Sequence, residues 1–132
     1  MIETLVKTLQ GNNNEVYAIT GGQRLRLASC NLNICIYEQS QSVTAIGVQG
    51  YQFKVNNAAT VECSDIDATR NVDIDFVKKV SRFEIQTDVQ RSDGIFERIV
   101  FDNLLPREIG VCGNWEFIVV GQRDLINRLA DF

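Results

Sequence analysis

The chain has 132 residues, 45% of them apolar and 23% charged, with four cysteines, one proline, no histidine and a net charge of −4. One domain of ordinary size accounts for that length, and a chain this long can hold a core without a metal or a disulfide. The missing histidines exclude Ser-His-Asp and Cys-His catalysis, His-ligated zinc and histidine pH switching.

The basic groupings, Arg24 with Arg26 and Lys78 with Lys79, are small, and the signs of charge are mixed along the chain. That pattern argues against a face that grips nucleic acid through its phosphates. The segment Met1–Lys7 carries Glu3 and has neither a basic start nor a continuous apolar core, so it does not read as a signal peptide. No apolar run approaches the ~20 residues of a membrane span. Cys30, Cys35, Cys63 and Cys112 contain no Cys-x-x-Cys pair. They read as reduced, buried thiols and not as a zinc site. No metal and no cofactor are expected.

In chain order, Ile2, Leu5, Val6 and Leu9 have the spacing of an apolar helix face, or of an arm that orders against a neighbour. Gly11-Asn12-Asn13-Asn14 breaks that pattern as a turn or loop. Glu15–Ile19 reads as a short strand closed by Gly21-Gly22. A long strand follows from Arg24 to Tyr37. Leu25 and Leu27 share one parity, and Cys30, Leu32, Ile34 and Ile36 share the other, so a bulge or change of face is expected near Leu27. Glu38–Ser42 reads as a polar loop.

Tyr51 to Cys63 is a second long strand, with Val55, Ala59, Val61 and Cys63 on the core face and Gln52, Lys54, Asn56, Thr60 and Glu62 on the polar face. Asp65–Arg70 is a polar break. Asp73–Val80 reads as a helix with an Asp73 cap and a buried stripe of Phe76, Val77 and Val80. From Arg82 to Gln90 the alternation sets Phe83, Ile85, Thr87 and Val89 against Arg82, Glu84, Gln86, Asp88 and Gln90. Arg91–Gly94 is a hairpin turn. Ile95–Phe101 returns, and Pro106 is expected to end that strand. Trp115–Val120 is a last strand, apolar on both faces, ended by Gly121. Arg123–Leu129 forms a helical turn or two.

The sum is a mostly β, antiparallel barrel or sandwich of about six strands with one short flanking helix. It spans 1–132 as a single domain, with an N-terminal arm 1–14 and a C-terminal tail 122–132. The long strands exceed the usual length and have few edge defences. Pairing with another copy of the chain, or cover from the helix and loops, would satisfy them.

Leu9–Tyr17 followed by Gly21-Gly22 resembles the opening of tail tube proteins from contractile-tailed bacteriophages and phage-tail-like bacteriocins. Phe83-Glu84-Ile85, the hairpin at Gly94, Glu97–Leu104 and Trp115–Gly121 are similar to later parts of the same family. The resemblance implies a structural, non-enzymatic subunit with no catalytic residues. It implies hexameric rings that stack into a tube inside a sheath, with sheath, baseplate and tail-initiator proteins as partners. DNA passes only as non-adhesive cargo. The place implied is a virion tail or tail-like particle made in the bacterial cytoplasm. The lumen-facing candidates are then Gln52, Lys54, Asn56, Thr60 and Glu62, with Arg82, Glu84, Gln86, Asp88 and Gln90. The inter-subunit candidates are Leu5, Leu9, Glu38, Gln39, Ser40, Gln41, Leu125 and Leu129. Other readings are a β-sandwich binding module, monomeric or oligomeric, and another phage part such as a baseplate or capsid-decoration protein. The acidic pairs Asp65/Asp67 and Asp73/Asp75 offer an enzyme little, since loop solvation and helix capping explain them.

Overall fold

The computed structural model describes residues 2–27, 30–44, 51–64, 74–110 and 113–132. Seven strands and two short helices follow one another as β1 (Ile2–Thr20), β2 (Gln23–Arg26), β3 (Asn31–Thr44), β4 (Tyr51–Ser64), α1 (Ile74–Lys79), β5 (Phe83–Gln90), β6 (Phe96–Ile109), β7 (Trp115–Val119) and α2 (Arg123–Ala130). All pairings are antiparallel. The strand order is β2-β1-β3-β4-β7-β6-β5, and β5 also pairs with β1. The ladder therefore closes back on β1, with β2 outside the closed set.

The alternation expected for β4 and β5 sets their faces, and β7, apolar on both sides in sequence, turns its odd-numbered residues inward. Ala59, Val61 and Cys63, then Phe83, Ile85, Thr87 and Val89, then Trp115, Phe117 and Val119 are all buried. Leu32, Ile34 and Ile36 of β3 join them. Phe83 stacks obliquely on Phe117 with ring centroids 4.8 Å apart, and Trp115 stands 6.4 Å from each. The Trp115 indole donates to the Gly110 carbonyl at 3.3 Å, which satisfies its one polar atom.

Several expectations are corrected. The helical spacing of Ile2, Leu5, Val6 and Leu9 is overridden, because this segment pairs with β3 from Ile2↔Ser40 to Gly11↔Leu32. The ladder slips at Val6, between Leu5 and Lys7. Residues 2–14 are thus part of β1 and not a separate arm. Gly11–Asn14 does not end the strand either. It is a bulge, with a register shift between Asn12 and Glu15 and Asn13 at φ 52°. The expected loop Glu38–Ser42 is the outer half of β3, paired as far as Thr44↔Tyr51. Pro106 does not end β6, because a register shift between Pro106 and Glu108 absorbs its missing N–H.

The 122–132 segment carries a second helix where one had been expected. Ile126 and Leu129 of α2 are buried, as are Val77 of α1 and Val80, while Phe76 is 37% exposed. The change of face near Leu27 appears as the break between β2 and β3. Gly21 and Gly22 take φ of 54° and 77°, and Gly94 takes 85°, in the turns read from sequence. Asp65–Arg70 and the Asp73 cap lie outside the described residues. Among the described residues no helix is long and apolar enough to cross a membrane.

Candidate assembly surface

The ladder closes over a limited height. β7 pairs with β4 only from Thr60 to Cys63, and β5 pairs with β1 only from Gly11 to Ala18. Beyond those rungs β1, β3 and β4 continue together as a three-stranded extension. Its inner face is covered by α2: the Lys7 ammonium donates to the Ala130 carbonyl at 2.9 Å, and Asn57 Nδ2 donates to Asn127 Oδ1 at 2.9 Å. Among the described residues no strand pairs with the outer edge of β1 before Gly11 or with that of β4 before Thr60. These are two rows of unpaired ladder groups on one small sheet.

The outward face of this wall is organised in cross-strand rows. Glu3, Gln39 and Asn56 form one, and Leu5, Tyr37 and Ala58 the next. Thr8, Cys35, Thr60, Ile118 and Leu105 run across five strands. The row beside it is Gln10, Asn33, Glu62, Glu116 and Glu108. Its three adjacent carboxylates repel one another, and Arg107 offsets part of that at 3.4 Å from Glu116. A cavity of about 210 Å³ lies there, lined by Asn33, Glu62, Cys63, Ser64, Glu108, Asn114, Trp115 and Glu116. Burial, and then the Glu62 charge, push the Cys35 thiol up.

The expected lumen residues separate into two groups. In the closed order β4 and β5 stand three pairings apart in either direction, so their outward faces look away from each other. One subunit cannot turn both rows toward a single channel. On β4, Asn56 and Glu62 are exposed, but Thr60 is 6% exposed beneath its neighbours. The side chains of Gln52 and Lys54 lie outside the described residues, although their backbones are paired with Val43 and Gln41.

The β5 row is occupied by internal partners. Glu84 is nearly buried and meets Arg24 at 2.6 Å. Gln86 Nε2 donates to Glu84 at 3.2 Å. Asp88 accepts from Asn13 at 3.0 Å and from Arg98 at 3.1 Å, and both hold its carboxyl below the usual range. Arg82 donates to Asn103, and Gln90 to the Gly94 carbonyl. Arg98 also bridges to Glu15 at 3.2 Å, and Arg24 lies 4.9 Å over the Tyr17 ring. This wall is self-satisfied. A glutamate hydrogen-bonded to the Tyr17 hydroxyl raises that phenol.

The inter-subunit candidates also divide. Leu129 is fully buried, and Leu9 and Leu125 pack against the subunit's own core. Leu129 is therefore an internal contact, whereas Leu9 and Leu125 are only partly buried. Leu5 is 53% exposed and Glu38 is exposed, while Gln39 is half-buried. The side chains of Ser40 and Gln41 lie outside the described residues. Glu108 and Glu116 were missed, because the register that aligns them with Glu62 is not written in either strand alone.

Among the described residues no group of three or more Cys, Asp or Glu side chains is placed to hold a metal ion. Comparisons of the chain with family models, with curated proteins and with solved structures give no match.

Proposed function

We propose that this chain is a structural subunit that joins copies of itself through the edges of β1 and β4, forming stacked rings like the inner tube of a contractile phage tail or tail-like particle. The observation that carries the reading is the pair of unpaired edges on the three-stranded extension. β1 and β4 are each antiparallel to β3, so they run in the same direction. The β4 edge of one copy then meets the β1 edge of the next in a parallel, head-to-tail contact. Such a contact closes into a ring when the rotation per copy allows it. Closure of the combined sheet into a large barrel removes every edge. The family resemblance supplies the ring number, six, and the sheath and baseplate partners.

On this reading the outward face of β1, β3 and β4 lines the channel, with Asn56 and Glu62 among its residues. The Glu62–Glu116–Glu108 row adds negative charge beside it. An acidic wet wall gives phosphates nothing to hold, so a polyanion can slide. The β5 row belongs to the opposite wall, toward the sheath.

Negative-stain imaging and mass measurement of the purified protein test this reading. Rings or hollow filaments are expected, and a subunit that stays monomeric at high concentration beside a tail initiator overturns it. Leu5→Lys tests the edge. Leu5 is half exposed, so the subunit keeps its fold while a lysine now guards β1. Assembly is expected to be lost, and unchanged assembly removes β1 from the joint.

A further inference from the structure

Cys30 and Cys63 form a thiol pair at the start of the β3–β4 ladder. Leu32 sits opposite Cys63, and Cys30 lies two residues before Leu32, just ahead of β3 and packed against the core. Cys63 is in the core, 2% exposed, and Cys30 is half-buried against it. The Cys30 backbone is pinned by Asn14, whose Nδ2 donates to its carbonyl at 2.9 Å. The Cys63 thiol donates to the Cys30 sulfur. Both cysteines are free.

We propose that Cys30 and Cys63 are a disulfide site, closed by exchange with a low-molecular-weight disulfide. Cys30 is the attacking group, for two reasons. It is the more exposed of the two. The bond donated by Cys63 also lowers its thiol, while the same bond, with burial, raises Cys63 well above the ordinary range. A cavity beside Cys63 is edged by Glu62, Glu108 and Glu116, whose charges repel an anionic oxidant there.

With glutathione disulfide, the Cys30 thiolate attacks one sulfur and expels one glutathione thiolate, leaving a mixed disulfide. Cys63 then loses its proton and attacks the Cys30 sulfur, and the second glutathione leaves. Two protein thiols lose two electrons and two protons, and the oxidant becomes two reduced thiols. Closure brings the two sulfurs to about 2 Å. The bond ties the β2–β3 connection to β4, directly behind the acidic row.

The test treats the folded full chain with glutathione disulfide, alkylates the remaining thiols after unfolding, and maps the peptides by mass. A linked Cys30–Cys63 peptide, lighter by two hydrogen atoms, is expected, with Cys35 alkylated. Alkylation of both Cys30 and Cys63, a glutathione adduct persisting on Cys30, or linkage of Cys63 to Cys112 overturns the proposal. In Cys30→Ser, a substitution at a half-buried position, Cys63 is expected to stay unmodified. Oxidation of Cys63 in that variant shows that the pair is not the reacting unit.

Discussion

A Cβ added at Gly11 would stand 2.2 Å from Thr87 Oγ1 and 2.7 Å from a Leu32 methyl, both of them fixed core neighbours. Gly11→Ala is therefore expected to destabilise by about 1–3 kcal/mol through overpacking, read from denaturant midpoints. Asn14, three residues on, donates to the Gly11 and Cys30 carbonyls and accepts the Thr87 hydroxyl at 2.6 Å. Asn14→Ala leaves the buried Thr87 hydroxyl without that acceptor, at a cost of about 1–3 kcal/mol. The Gly-Asn-Asn-Asn text looked like a chain break, yet its physical use is to shape a bulge. Glycine and asparagine suit both, because each tolerates a close approach or positive φ.

Asp88 and Asp93 supply the pH dependence at this scale. Asn13 and Arg98 hold Asp88 below its ordinary value of 3.8, and Arg91 and the Ile95 N–H do so for Asp93. A depressed carboxyl stabilises the fold above its unfolded value and loses that contribution as pH falls through its folded one. Stability is thus expected to drop on acidification below 3.8. The drop should be shallower in Asp88→Asn, compared by denaturant midpoints at about pH 6 and about pH 3.

Among the elements, β5 shows how alternation and environment differ as kinds of information. Its inward residues Phe83, Ile85, Thr87 and Val89 follow directly from period two. Its other face reads as solvated, but β1 and β2 bring Arg24, Asn13 and Glu15 around it. Gln86→Glu is consequently not neutral. It replaces a donor to Glu84 with a second carboxylate and is expected to cost about 1 kcal/mol, diminished by high salt. A salt-independent, unchanged unfolding midpoint would contradict the contact. β6 gives the complementary case. Proline normally stops a strand, but a register shift lets β6 pass through Pro106 and carry Glu108 into the acidic row.

For the whole molecule, the closed ladder and the extension have different stabilities. Strands in the closed part are paired on both sides around the aromatic cluster of Phe83, Trp115 and Phe117. Those in the extension end in open edges. Amide exchange in the isolated subunit is expected to be slow at Ile85, Phe101 and Phe117 and fast along the outer edges of β1 before Gly11 and β4 before Thr60. If copies join through these edges as proposed, the same amides become protected on assembly. Edges that remain fast in the assembled state would place the joint elsewhere.

The sequence by itself determined which face of β4, β5 and α2 turns inward, where Gly21, Gly22 and Gly94 make turns, and that histidine chemistry is absent. Those properties are local: side-chain period and glycine φ need no knowledge of a partner. Only the tertiary structure decided that Ile2–Leu9 is strand, that Glu38–Ser42 extends β3, and that β4 and β5 occupy opposite walls. Each depends on which strand a segment meets and in what register, and that choice is made by non-local pairing and burial. A nine-residue helical spacing is too weak to compete with a ladder that β3 completes along its length.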